Sequence, residues 1–264
     1  TERDASKEIT IEPVLLSIFS HRFMDIAEQM GNSLQKTSVS VNVKERLDFS
    51  CALFDSGGNL VANAPHVPVH LGSMSTCISC QAKLWKGRLH EGDVIITNHP
   101  AAGGTHLPDI TLITPAFDHG KIIFYVAARA HHADIGGLLP GSMPPNSKEL
   151  WQEGACFYSE LLVRGGVFQE EMVVQKLLKD PAQHAGCSGS RRLSDNLSDL
   201  KAQLAANQMG ISLIDRLVTE FDLPTIMGYM HAIQDNAADT VSRMLDRIIA
   251  KHGIENIHCV DHMD

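Results

Sequence analysis

Two short turn sequences constrain this chain more than anything else in it: DSGGN at 55–59 and DHGK at 118–121. Each carries glycine, which supplies the positive backbone angles of a tight hairpin turn, and each lies between apolar runs of strand length. The first joins 49–54 to 60–64, and the second joins ITLIT at 110–114 to IIFYVAARA at 122–130. DVIITN at 93–98 reads as a further strand. The expectation is antiparallel pairing at both turns.

Around these strands the rhythm changes to helical. Residues 13–36 place Leu15, Ile18, Phe19, Phe23, Ile26, Met30 and Leu34 on one face, with Pro13 suited to a first turn. A second helix is predicted over 71–86. A third begins at Leu193, with Ser194, Asp195 or Asn196 as caps and Leu200, Leu204, Ile211, Ile214 and Leu217 as its apolar face. A fourth runs from Pro224 to near Gly253. Between them, ADIGGLLPGSMPPNS at 133–147 is too rich in Gly and Pro for helix or central strand, and reads as an ordered loop of the kind that often carries function. The fold class is therefore α+β, a mixed domain of antiparallel hairpins packed with long helices. The ending NIHCVDHMD has neither cap nor polar tail, so residues 1–264 are expected to be the N-terminal portion of a larger fold, truncated at its C-terminal side.

Composition excludes several classes of function. Charged residues make up 20% and hydrophobic ones 44%, and no stretch approaches the roughly twenty apolar residues of a membrane span. The opening TERDASKEIT lacks the apolar segment of an export signal. Cys51, Cys77, Cys80, Cys156, Cys187 and Cys259 are scattered, as free thiols in a reducing compartment would be, so a cytoplasmic location is expected. A net charge of −9 without a Lys/Arg stripe argues against a nucleic-acid partner.

Histidine is the unusual feature: His66, His70, His90, His99, His106, His119, His131 and His132 crowd into a quarter of the chain. Hairpin arithmetic gives some of them a meeting place. With a midpoint near Gly120, residues whose numbers sum to about 240 face each other, and Asp109 and His131 do so. His106 lies three residues upstream in GGTHLPD. The earlier hairpin, centred near Gly57, pairs Asp48 with His66 in the same way. If both open ends share a cleft, Asp48 and either His66 or His70 join His106, Asp109 and His131 around one ion. Imidazoles and carboxylates without thiolates suit Mn, Zn or Fe(II) in an open catalytic site rather than a closed structural zinc site.

The plainer reading is that histidines at strand ends are surface residues, and His90, His119, His184, His252, His258 and His262 are assigned to it. Cys77 and Cys80 form a lone CxxC on a helix, which is usually packing. Gly103 and Gly104, and the turn CSGSRR with Arg191, can present amides and cationic donors to an anionic group, or be ordinary turns. No Walker or dinucleotide-binding glycine motif occurs.

Longer motifs carry more. NVKERLDFSCALFDSGGNLVANAPHVPVHLGSM at 42–74, HPAAGGTHLPDITLITP at 99–115, HHADIGGLLPGSMPPNSKELWQEGA at 131–155, GGVFQEEMV and CSGSRRLSDNLSDLKAQLAANQ together resemble the hydantoinase B family over nearly the whole chain. The resemblance implies that Asp48, His106, Asp109 and His131 hold a divalent metal, Mn or Zn. It points to the branch of the family that opens the lactam of 5-oxo-L-proline to L-glutamate at the expense of ATP, in glutathione turnover. Its scheme places ATP with Mg on a separate hydantoinase A-like part, which phosphorylates the cyclic amide before the metal-dependent step. His66, His70, His132 and Asp134 stand as catalytic candidates, and Arg129, Arg191, Gly103 and Gly104 as substrate-binding ones. A homodimer is expected. The alternatives are a hydantoin-type cyclic amidase, an acetone carboxylase-like subunit, or a structural module whose metal only staples the hairpins.

Overall fold

The computed structural model describes residues 9–141, 144–253 and 260, so His258, His262 and Cys259 lie outside the described residues. Among the described residues, seven strands form one antiparallel sheet: β1 (Phe49–Asp55), β2 (Leu60–Asn63), β3 (Val94–Thr97), β4 (Asp109–Asp118), β5 (Lys121–His131), β6 (Glu160–Arg164) and β7 (Val167–Phe168). Their order across the sheet is β2-β1-β5-β4-β3-β6-β7. Six α-helices among the described residues accompany it: α1 (Pro13–Thr37), α2 (Val41–Lys44), α3 (Pro68–Leu84), α4 (Glu170–Val174), α5 (Leu193–Phe221) and α6 (Leu223–His252).

The central strands are buried on both faces, and alternation sorts their side chains. Cys51 and Leu53 of β1 and Val126, Ala128 and Ala130 of β5 face a core built with α1, α5 and α6. Ile110 and Leu112 of β4 face an adjoining core with Leu200 of α5. On the other face Ala52, Phe54, Tyr125, Ala127 and Ile113 pack under Met74, Cys77 and Ile78 of α3. In the first core, Phe19 stacks on Tyr229 at 4.3 Å and meets Phe221 edge-on at 5.0 Å. Phe19 and Tyr229, both fully buried, each contribute roughly 2–3 kcal/mol by removal from water.

The α+β class and the long helices stand as the sequence implied, but some bounds moved. Helix α3 starts at Pro68 rather than residue 71, because Pro68 occupies its first turn without costing a hydrogen bond. Ser194, Asp195 and Asn196 sit inside the first turn of α5, which has no side-chain cap at Arg192. Helix α6 starts at Leu223, one residue before its expected start, and is capped by the Asp222 carboxylate, which accepts from the Thr225 amide at 2.8 Å. The β6–β7 hairpin and α4 were not expected. Its turn, Gly165-Gly166 between ELLVR and VF, carries the same signal as the two recognised turns.

Candidate metal centre

Sheet register builds the site. Asp109 and His131 are direct cross-strand partners on β4 and β5. Beside them the His131 amide donates to the Asp48 carbonyl at 3.0 Å, drawing Asp48 onto the same edge. Counting by twos along each strand places Asp48 and Ser50, His131 and Arg129, and Asp109 and Thr111 on the face covered by α3. The loop before β4 then turns back to bring in His106, whose carbonyl accepts from the Asp109 amide at 3.0 Å.

That loop owes its path to close approaches. Gly103 has φ +90°, and a β-carbon there would collide with the Cys77 backbone, while one on Gly104 would collide with the Asn98 carbonyl. Buried Asn98 holds it from within, donating to the Leu107 and Ala155 carbonyls at 2.6 and 2.9 Å and accepting from the Phe157 amide at 2.7 Å. Pattern reading missed Asn98, since all but the first of these partners lie far away in the sequence.

Asp109 is the hub. Its Oδ1 lies 3.0 Å from His131 Nδ1 and 3.2 Å from His106 Nε2. Its Oδ2 lies 3.3 Å from His70 Nε2 and accepts from Thr105 Oγ1 at 3.0 Å. Asp48 approaches from the side, 3.6 Å from His70 and 3.8 Å from His131. Burial alone would raise the Asp109 carboxyl, but hydrogen bonds from His106, His131 and His70 outweigh it and hold the group well below the usual carboxylate range. The same hydrogen bond raises His106 above an ordinary imidazole.

Among the described residues, His106, Asp109 and His131 form the one group of three whose ligand atoms all lie within 4.8 Å of one another. This donor set fits a divalent metal: two imidazole nitrogens and a carboxylate converge, a second carboxylate is alongside, and no thiolate is near. The cluster is open on one side, since the His106 side chain keeps 31% of its exposure and Asp48 35%. His70 is buried on α3, with Nδ1 3.3 Å from Ser50 Oγ, so its other nitrogen is aimed at the carboxylates.

Other expected residues lie elsewhere. His66 does not join the cluster through the first hairpin: a register shift between Leu53 and Phe54 and the end of β2 at Asn63 break the symmetry with the second. Its Nδ1 instead accepts from the Cys51 amide at 3.0 Å, and its ring meets Phe49 edge-on. Burial, then the neighbouring His70, push its pKa down to about 4. His132 is fully buried against α5, its ring nitrogens engaged by Asn196 and Gln203. The Asp134 carboxylate accepts from the Gly136 and Arg191 amides and pairs with the Arg191 guanidinium at 3.0 Å. Arg191 also donates to the Gly137 and Leu138 carbonyls, locking the turn before α5 to the loop after His132. The Gly103 and Gly104 amides donate to the Pro100 and His99 carbonyls, within their own turn. Arg129 is on the site's face but wholly buried, donating to Thr111 Oγ1 at 2.8 Å and Ser73 Oγ at 2.5 Å.

The residues assigned to the plainer reading behave accordingly. His90, His119, His184 and His252 are exposed, Cys77 packs in the α3 core, and Cys80 is a half-buried free thiol.

A sequence profile of the hydantoinase B/oxoprolinase family matches residues 12–264. The chain belongs to the hydantoinase B/oxoprolinase family. Among members of this family, 5-oxoprolinase of Saccharomyces cerevisiae is 66% identical over 258 residues, covering 97% of this chain and 20% of that protein. The 5-oxoprolinase 1 of Arabidopsis thaliana is 58% identical over 244 residues, covering 91% of this chain and 19% of that protein. The hydantoinase B fold seen here superposes on the crystal structure of an ATP-dependent caprolactamase from Pseudomonas jessenii with a TM-score of 0.80 and 27% identity, over 90% of this chain and 39% of that one. The chain thus spans about a fifth of the length of these two 5-oxoprolinases. No described helix is long and apolar enough to cross a membrane.

Proposed function

We propose that this chain supplies the metal-dependent step of a 5-oxoprolinase, the ATP-dependent hydrolytic opening of 5-oxo-L-proline to L-glutamate. The observation that carries the proposal is the convergence of His106, Asp109 and His131 within 4.8 Å, with Asp48 alongside. Identity of 58–66% to two 5-oxoprolinases supports the choice of substrate. ATP with Mg belongs, in this reading, to a hydantoinase A-like part outside these residues, and the setting is the reducing cytoplasm, consistent with five free cysteines among the described residues.

His106, Asp109, His131 and Asp48 would hold a divalent ion, Mn or Zn. Such an ion supplies Lewis-acid polarisation and lowers the pKa of water toward neutrality. The protein's own residues do the rest. Asp109 orients three imidazoles at once, Thr105 fixes its second oxygen, and Ser50 sets the ring of His70 so that Nε2 faces the carboxylates. Arg129, buried one pleat behind His131, offsets the negative charge of Asp48 and Asp109.

The test is elemental analysis of the purified chain joined to an assay with 5-oxoproline and ATP in the presence of the hydantoinase A-like part. About one bound divalent ion per chain is expected, absent in His106→Ala and Asp109→Ala, with lactam opening lost in both variants. Unchanged turnover in Asp109→Ala would overturn the reading. The likeness to a caprolactamase favours a second reading, a different cyclic amide. Turnover of caprolactam or a hydantoin in preference to 5-oxoproline would select it.

A further inference from the structure

Behind the sheet, on the face away from the cluster, lies a buried chain of polar groups. Ser190, Asn196, His132 and Gln203 are each 5% exposed or less. Gln203 Nε2 sits 3.0 Å from the Ile110 carbonyl of β4 and 3.0 Å from the Ala128 carbonyl of β5. Carbonyls only accept, so this nitrogen donates both of its hydrogens and Gln203 Oε1 must be the acceptor in its 3.0 Å contact with His132 Nε2. His132 therefore carries its proton on Nε2. The ring is fully buried and no described carboxylate is hydrogen-bonded to it, the Asp199 carboxylate accepting instead from the Val39 and Ser40 amides. Nδ1 is then a lone pair, Asn196 Nδ2 donates to it at 3.2 Å, and Asn196 Oδ1 accepts from Ser190 Oγ at 2.5 Å. The direction propagates from two strand carbonyls through Gln203, His132 and Asn196 back to the turn before α5, where Ser190 Oγ also reaches the Asp134 carbonyl at 3.3 Å.

The chain ends where it matters. Ile110 follows Asp109 on β4, and Ala128 pairs with Leu112 only three residues before His131. His132 adds its own amide to the Pro108 carbonyl at 2.9 Å. From these contacts we infer that His132 and Gln203 are positioning residues of the metal centre: acting as one relay from Ser190, they hold together the open ends of β4 and β5, and so set the spacing of Asp109 and His131. The inference rests on the metal centre proposed above. It gives His132 a part other than proton transfer, despite its place next to a ligand. Groups that orient ligands from outside a metal site typically govern affinity by about 10–100-fold.

The test uses the full chain with His132→Phe, His132→Gln, Gln203→Met and the double variant His132→Phe/Gln203→Met. Zn²⁺ affinity is measured by competition with a chromophoric chelator. His132→Phe and Gln203→Met should each bind about 10–100-fold more weakly. His132→Gln, which can still donate to Gln203, should recover most of the loss. Because the two residues act through one path, the double variant should bind no more weakly than Gln203→Met alone. Two unrelated packing defects would instead multiply, and that outcome, or wild-type affinity in a folded Gln203→Met, overturns the relay. Amide hydrogen exchange without metal keeps the question separate from metal binding itself. Exchange at 109–111 and 130–132 should accelerate in Gln203→Met while 52–54 stay protected; uniform acceleration or none would refute the inference even if the wild-type chain held no Zn²⁺.

Discussion

His66 offers a prediction whose size follows from its surroundings. Its Nδ1 accepts from the Cys51 amide, its ring abuts Phe49, and burial brings its pKa to about 4 from an ordinary 6.5. Protonation would place an N–H against the Cys51 N–H and charge a part-buried ring. The sign follows from linkage: the folded pKa lies below the unfolded one, so between pH 6.5 and 4 the unfolded chain binds more protons. The stabilising contribution is complete above pH 6.5 and is lost as pH falls toward 4. At about 1.36 kcal/mol per unit the ceiling is about 3 kcal/mol. Solvent screening at the part-exposed ring reduces this to about 1.5–2 kcal/mol. Urea unfolding of wild type and His66→Gln, at pH 7 and pH 4.5 with a chelator present, isolates the effect, since glutamine can still accept from Cys51 but does not titrate. Wild type should lose about 1.5–2 kcal/mol more than the variant across this interval. Equal losses in the two proteins would refute the assignment of His66 as a neutral structural acceptor.

Other expectations follow from the same geometry. Asn98→Ala should cost about 3–5 kcal/mol in urea unfolding, because it strands two buried carbonyls and a buried amide at once; a loss below about 1 kcal/mol would show that the His106 loop is held by something else. Zn²⁺ affinity should rise with pH through the range where the raised His106 titrates, since the ion must displace that proton; calorimetry in buffers of different ionisation enthalpy should show proton release, and a pH-independent affinity would count against His106 as a ligand. A thiol reagent applied to the folded protein should label Cys80 well before Cys51 or Cys77, which are buried, and mass mapping reads the order directly.

Much of this protein is local, and what is local could be read from its residues. Glycine turns, two-residue alternation and a helical apolar rhythm set the two hairpins and the long helices, and for a hairpin the position of the turn dictates which residues face each other. Asp109 and His131 were therefore paired by arithmetic alone, and His106 came with them because it is three residues away. The same arithmetic misplaced His66, because one register shift and the early end of β2 undo it, and such irregularities depend on what packs around a strand. The choice of His70, delivered from α3, over His66, the clamp of Asn98 across to Ala155 and Phe157, and the orientation of His132 by Gln203 lie on contacts between segments far apart in the chain. Spacing along a sequence cannot encode those contacts. They exist only once α3 and α5 have closed on opposite faces of the sheet, where burial leaves each polar group a single set of partners.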